Sequence, residues 1–391
     1  MRENNLLTTD ERRFPNEIFT LIIEHLRFDP SSLRNAALVC KDFAILSQQQ
    51  IFRTVDLAPA KYDTLCSWLL RNPKTAALTR FVRTVRLEVF DSSEMDDILF
   101  IFRSLPSVPE LIYEGIPYPQ YIQAIGTNMG ETLEALWIDK CEVESEDWQS
   151  FRDILASFTV LKLIALPSYC FEDEPLILPS SLRTLYLGGN ASAVEQGLGI
   201  LYPPMLSAVF LGFEETRYNA SEHRLLGVLR PDTRVVLDLG DGNYGKIFIP
   251  AMMAFIQDLK VSQLTLEGSG GPFISLIAHI ASYLPESVRE ISIDFDAGGF
   301  CNTAEFDLVS KREDWAQLDR ALTKRYELGS LKSFGVRCTS RMHRSYGWLF
   351  YGGSPIDRTI LDHVRTLLPL SDAAGILKVD HAALYFDDYY F

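Results

Sequence analysis

Two stretches of the sequence hold residue types at spacings that could do chemistry. Gly240-Asp-Gly242-Asn-Tyr-Gly245 matches the G-x-G-x-x-G pattern of a dinucleotide-binding turn and follows a strand-like run, Val235 to Leu239. That chemistry needs a helix to open at the last glycine, so that its N-terminal N–H groups meet the pyrophosphate. Here Lys246 to Ile249 reads as extended and the helical pattern waits for Pro250, so a glycine-rich turn is the better expectation. Asp294-x-Asp296-x-Gly298-Gly299, with Glu305 at the twelfth place, matches part of a calcium loop. Its fifth ligand position holds glycine in place of Asp or Asn, and a strand precedes it where a helix belongs, so no metal site is assigned.

The other reactive groups are dispersed. His25, His223, His279, His343, His363 and His381 form no i, i+4 pair and no cluster with cysteine. There is no G-x-S-x-G elbow, and Ser269 sits in a glycine-rich turn. Carboxylates are abundant, yet nothing singles out two of them for acid and base work. The expectation is a non-enzyme, with no catalytic residues, no cofactor and no metal.

Composition narrows the partners. With 391 residues, 47% hydrophobic and 23% charged, the chain has the material for a large soluble core. Its net charge of -15 is uneven: residues 1–90 hold 13 Lys/Arg against 10 Asp/Glu, or +3, which leaves -18 for the remainder. An acidic body disfavours nucleic acid and anionic membranes and leaves basic protein surfaces open. Cys40, Cys66, Cys141, Cys170, Cys301 and Cys338 lie far apart, which fits a reduced compartment, cytoplasmic and/or nuclear. Residues 1–13 hold no apolar run long enough for a signal peptide, and no segment approaches bilayer length.

One six-residue frame, apolar-x-x-apolar-x-apolar, recurs along the chain. It reads Val82-Val85-Leu87, Val108-Leu111-Tyr113, Leu133-Leu136-Ile138, Leu161-Ile164-Leu166, Leu182-Leu185-Leu187, Leu206-Val209-Leu211, Val261-Leu264-Leu266 and Val288-Ile291-Ile293. A degenerate copy, Arg234-Leu237-Leu239, fills the vacancy. The gaps between middle positions are 26, 25, 28, 21, 24, 28, 27 and 27 residues. Phe52-Val55-Leu57 precedes this run, and Leu331-Phe334-Val336 and His381-Leu384-Phe386 follow it at wider spacing. The closing apolar pair alternates as in a strand with one buried face. Helical periodicity fills the intervals, as in Ile98 to Leu105, Trp148 to Phe158 behind a capping Ser145, Met252 to Leu259 and Phe273 to Leu284. Larger helical insertions around Trp315, Leu318 and Leu322, and Ile360, Val364 and Leu368, separate the last units.

This pattern resembles leucine-rich repeats, with the characteristic Asn or Cys in place at Leu187-Gly-Gly-Asn190 and Ile138-Asp-Lys-Cys141. The competing arrangement, a doubly wound parallel sheet, takes longer units and two-sided apolar strands. In a one-sided strand the residue between the closing apolar pair faces away from the helices. That position reads Arg86, Ile112, Trp137, Ala165, Tyr186, Phe210, Asp238, Thr265 and Ser292. Ile112, Trp137, Tyr186 and Phe210 would then form an exposed column on a concave face, the expected target-binding surface unless a loop or the aromatic tail 385–391 covers it.

Ahead of the frames, Pro15 opens a stretch with Ile18, Phe19, Ile22, Ile23 and Leu26 at helical spacing. Asp29, Pro30, Ser31 and Ser32 stop it and cap a second helix carrying Leu33, Ala36, Ala37 and Cys40; a third brings Phe43, Leu46, Ile51 and Phe52. Some forty residues without a metal or disulfide bury too little surface to stand alone, so this piece leans on a neighbour or a partner. Phe14-Pro15-x-Glu17-Ile18, Ile22, Leu26, Leu33 and Leu38-Val39-Cys40-Lys41-Asp42-Phe43 resemble the F-box, the adaptor-binding motif of Skp-cullin-F-box ubiquitin ligases. Phe14 stands where that family usually has Leu, and Phe43 where Trp is commonest. A three-helix cap sealing a repeat array is the plainer reading, and the two are compatible.

The resemblance implies an α/β chain: a flexible 1–13, an F-box at 14–55, a leucine-rich-repeat-like solenoid, a right-handed β-α superhelix, at 56–300, and divergent repeats with a cap at 301–391. It implies docking on a Skp-family adaptor, and through it cullin, by Phe14, Pro15, Ile18, Ile22, Leu26, Leu33, Val39, Cys40 and Phe43, with a target protein held by the repeats. The alternatives are a protein-binding scaffold outside ubiquitination and, on the Gly240 loop, a nucleotide-binding α/β enzyme.

Overall fold

The computed structural model describes residues 16–27, 29–57, 72, 77–89, 95–105, 107–115, 119–139, 145–167, 178–188, 206–212, 229–240, 248–269, 271–296, 311–339 and 358–381. Three helices open the described chain, α1 (Asn16–His25), α2 (Pro30–Ala36) and α3 (Lys41–Ile51). Twelve strands follow: β1 (Thr54–Leu57), β2 (Thr84–Val89), β3 (Glu110–Gly115), β4 (Ala135–Asp139), β5 (Leu163–Pro167), β6 (Thr184–Gly188), β7 (Ala208–Gly212), β8 (Arg234–Asp238), β9 (Gln263–Ser269), β10 (Glu290–Asp296), β11 (Ser333–Thr339) and β12 (Leu377–His381). Between them lie a 3-10 turn (Ala77–Phe81) and the helices α4 (Met95–Ser104), α5 (Pro119–Met129), α6 (Ser145–Ser157), α7 (Phe248–Gln257), α8 (Gly271–Ala281), α9 (Arg312–Glu327), α10 (Arg358–Leu367) and α11 (Pro369–Ala373). Among the described residues no helix is long and apolar enough to cross a membrane.

All twelve strands form one parallel sheet, and their order in it is their order in sequence. A doubly wound sheet reverses order at a switch point; this one has no reversal. Parallel neighbours joined by crossovers of one hand place every connecting helix on one face. The core agrees: the frame residues Val85, Leu87, Leu111 and Leu136 share one buried cluster with Ile98 and Phe102 of α4, Tyr121 of α5, Phe151 of α6, Phe255 of α7, Ile277 of α8, Trp315 of α9 and Val364 of α10. Burying such a side chain contributes about 1.5–3 kcal/mol, so the spacing of the frame is also the spacing of the core.

Register follows the frame, with Val55, Val85, Leu111, Leu136, Ile164, Leu185, Val209, Val235, Leu264, Ile291, Phe334 and Leu377 paired in turn across neighbouring strands. Two expectations are corrected. The β8 frame is centred on Val235, not Leu237, because the buried Leu239 imitates the closing apolar position two residues late. The last strand is Leu377–His381, centred on Leu377; the Leu384 frame and the aromatic tail lie outside the described residues.

Hydroxyl side chains stitch successive turns together. Ser181, Ser207, Thr233 and Ser287 donate to the carbonyls of Leu161, Arg183, Leu206 and Leu259 at 2.8, 3.2, 3.1 and 2.8 Å. At the far end Asp319 of α9, buried, accepts from Leu370 N, Ser371 N and Ser371 Oγ at 2.8, 2.8 and 2.6 Å, which fixes α11 and hence the approach to β12. Gly115 closes β3 at φ +116°, where an added Cβ would lie 1.8 Å from Val89 O, so no other residue fits.

Candidate protein-docking site

The three N-terminal helices are held by local signals. Asp29 caps α2, accepting from Ser31 N and Ser32 N at 3.1 Å each and from the Ser31 and Ser32 hydroxyls at 2.7 and 2.5 Å, while Pro30 takes the first helical place. These donors, the Ser32 hydroxyl foremost, hold the Asp29 carboxyl at about 2, below its ordinary 3.8. Cys40 is extended and breaks the chain between α2 and α3. Ile23, Leu33 and Ala36 form the interior, flanked by the half-buried Leu26, Phe43, Leu46 and Ile51.

Helix α1 has two apolar stripes where the sequence suggested one. Phe19, Ile23 and Leu26 face inward, and the Phe19 ring lies 5.1 Å from that of Phe43 in α3. Ile18, Leu21 and Ile22, at i, i+3 and i+4, face out and are exposed. The Phe19–Phe43 contact brings the first turns of α1 beside the start of α3, and so beside the α2–α3 turn. There Leu38 is 85% and Val39 69% exposed, with Cys40 and Ile45 exposed as well. Ten large apolar side chains are exposed among the described residues, and six of them lie between Ile18 and Ile45. Contiguous apolar exposure of this kind marks an interaction surface.

The residues expected to dock on an adaptor therefore divide. Ile18, Ile22, Val39 and Cys40 are at the surface; Leu26, Leu33 and Phe43 pack the unit from within; Phe14 and Pro15 lie outside the described residues. Leu21, Leu38 and Ile45 are further surface members, beyond the residues that the resemblance implies. Leu21 stands at i+3 from Ile18, on the same helical face, which is the available signal. A short link joins the unit to the sheet: α3 ends at Ile51, β1 begins at Thr54, and Arg53 O accepts from Arg83 N and Thr84 N at 2.8 and 3.0 Å.

The aromatic column lies on the face of the sheet opposite the described helices, but it is not exposed. Trp137 is 1% exposed, Tyr186 and Phe210 are buried, and Ile112 is half-buried; with Ala135, Leu163, Ala165 and Val236 they form a second apolar cluster. The small Ala165 lets the rings on either side of its strand reach one another, Trp137 and Tyr186 at 6.2 Å, and Tyr186 stacks on Phe210 of the next strand at 5.5 Å. Trp137 Nε1 donates to Glu110 Oε1 at 3.1 Å, and Thr84 Oγ1 to Glu110 Oε2 at 2.6 Å. The β8 member of this row is Val236, not Asp238 as the frame predicts.

The chemistry-bearing stretches have structural partners too. Gly240, at φ 54°, donates its N–H to Asp238 Oδ1 at 3.1 Å; Gly242 and Gly245 lie outside the described residues, and α7 starts at Phe248, two residues before Pro250. Asp294 is buried and takes both its oxygens to Arg337, at 2.7 Å from Nε and 2.6 Å from Nη2. Gly298, Gly299 and Glu305 lie outside the described residues, among which no three His, Cys, Asp or Glu side chains form a group that could hold a metal ion. Compared with known proteins, the chain matches no family model and no curated sequence.

Proposed function

We propose that the chain is the substrate-recognition subunit of a Skp-cullin-F-box ubiquitin ligase. In this reading α1–α3 are an F-box that docks on a Skp-family adaptor, and the sheet with its one-sided helices is a leucine-rich-repeat-like solenoid that carries the target. One observation supports it above the others: the small N-terminal unit holds six of the ten exposed large apolar side chains of the described residues, in the segment whose sequence resembles an adaptor-binding motif. A cap that merely sealed the array would turn such side chains inward. Burying five or six of them contributes about 1.5–3 kcal/mol each, enough for a stable complex once the cost of association is met.

The test is a pull-down of a purified Skp-family adaptor by the intact chain, by a chain lacking residues 1–55, and by Leu38→Asp/Val39→Asp. Capture by the intact chain alone is expected. Equal capture by all three would overturn the reading, and capture of adaptor without cullin would favour a scaffold that works outside ubiquitination.

A further inference from the structure

Among the described residues the sheet ends at β1, which pairs with β2 alone, and at β12, which pairs with β11 alone. An edge strand is a ready template for a further strand unless its side chains forbid one. On the face opposite the helices β1 presents Thr54 and Asp56, an acid with no cation beside it in the strand. β12 presents one charge of each sign there, Lys378 and Asp380, both exposed and neither in an ion pair among the described residues. Arg337, which stands in register with Asp380, is engaged by both oxygens of Asp294.

The backbone says which groups of β12 are left for another strand. Phe334 N donates to Ile376 O at 3.0 Å. Alternate residues of a strand turn their N–H and C=O to the same neighbour, so Ile376, Lys378 and Asp380 serve β11, while Leu377, Val379 and His381 turn theirs to the open edge. A second copy of this chain supplies the matching strand. A two-fold contact must be self-complementary, and keeping the helices of both copies on one side requires an axis through a residue of β12. Centred on Lys378 or on Asp380, the axis sets like charges against each other. Centred on Val379, the middle of β12, it pairs the whole strand. Val379 then exchanges hydrogen bonds with Val379 of the second copy, and Leu377 with His381. Lys378 meets Asp380 of the second copy twice, at the non-hydrogen-bonded positions where facing side chains are closest. The lysine that would repel other strands thus selects one partner in one register.

We propose that the chain forms a homodimer by antiparallel pairing of two β12 edges, centred on Val379 and matched by the reciprocal Lys378–Asp380 pairs. The two sheets then run on as one, with the N-terminal helices at its far ends, so self-association and docking through α1–α3 use opposite ends of the array. The proposal does not rest on the ligase reading. Its test is sedimentation velocity of the full chain from about 1 to 100 µM, the range in which contacts of modest area associate, together with hydrogen exchange at the Val379 amide.

A monomer–dimer equilibrium is expected, with exchange at Val379 slowing as concentration rises. Lys378→Asp and Asp380→Lys each place like charges opposite one another at both pairs, and each is expected to weaken the dimer about tenfold or more. The double variant Lys378→Asp/Asp380→Lys restores opposite charges and is expected to recover it. A mixture of the two single variants is expected to associate more tightly than either variant alone. Both side chains are exposed, so unaltered circular dichroism verifies the fold of each variant. Leu38→Asp/Val39→Asp is expected to dimerise unchanged. A monomer at every concentration, indifference to the single charge reversals, or no recovery in the double variant would overturn the proposal. So would loss of the dimer in Leu38→Asp/Val39→Asp, which would move self-association to the N-terminal patch. Slow exchange at Val379 that does not change with concentration would give the edge to a segment of the same chain and would overturn it as well. The adaptor is absent from these assays, so their outcome is separate from that of the pull-down.

Discussion

The N-terminal helices and the twelve-stranded array treat apolar surface in opposite ways. The array buries it on both faces, under helices on one side and in the Trp137–Tyr186–Phe210 cluster on the other, and leaves Tyr283, Tyr326, Leu328 and Leu370 exposed among its described residues. The three helices bury a minimal interior around Ile23, Leu33 and Ala36 and leave a second stripe and a whole turn in solvent. The same residue types thus have different meanings. An aromatic in the column is part of a core, whereas Leu38 at the α2–α3 turn stands in solvent.

That contrast can be broken most forcefully at Trp137. Trp137→Ala is expected to destabilise the array by about 3–5 kcal/mol, the usual loss for a buried large aromatic, and denaturant unfolding would register it. A change within about 0.5 kcal/mol would mean that the column is a free surface after all. The converse substitution, Leu38→Asp/Val39→Asp, is expected to shift unfolding by no more than about 0.5 kcal/mol per residue, as for ordinary surface sites. Its cost should appear only in adaptor capture, which calorimetry should find weakened about a hundredfold if the turn is a hot spot.

At the other end of the array the expected effect is smaller and local. Asp319→Ala leaves two backbone N–H groups and the Ser371 hydroxyl without their acceptor, at about 1–3 kcal/mol for each donor that stays buried. Hydrogen exchange should quicken in α11 and β12 and remain unchanged from β2 to β7. Smallest of all is the Asp29 cap. Because folding lowers its pKa from 3.8 to about 2, its contribution is complete above about pH 3.8 and disappears as pH falls through about 2. The difference in thermal stability between the chain and Asp29→Ala should accordingly be constant at neutral pH and vanish below pH 2.

Most of the sheet was legible because one-sided strands announce themselves: each middle residue from Val85 to Val209, and again at Leu264, Ile291 and Phe334, is the one that pairs across the sheet. The frame slipped at β8, where Leu237 and Leu239 offered the same alternation as Val235 and Leu237, and at β12, where Ala374 occupies the first apolar place. Helix α5 was missed although Tyr121, Ile122 and Ile125 follow Pro119 at helical spacing. Of the candidate sites, the side of the sheet on which Trp137, Tyr186 and Phe210 stand followed from strand alternation, but their burial did not. Alternation says which way a side chain points and nothing about what comes to rest on it. In the same way helical spacing grouped Ile18 and Ile22 with Phe19 and Ile23, and only packing against α3 separated the inward stripe from the outward one.

The claim on which the rest depends is that α1 and the α2–α3 turn are a docking surface and not a lid. Hydrogen–deuterium exchange on the full chain, with and without a purified Skp-family adaptor, tests it directly. The account predicts slower exchange across residues 16–51 on adding the adaptor, with the strands from β2 onward unchanged. Protection confined to the array, or none at any adaptor concentration, would contradict it.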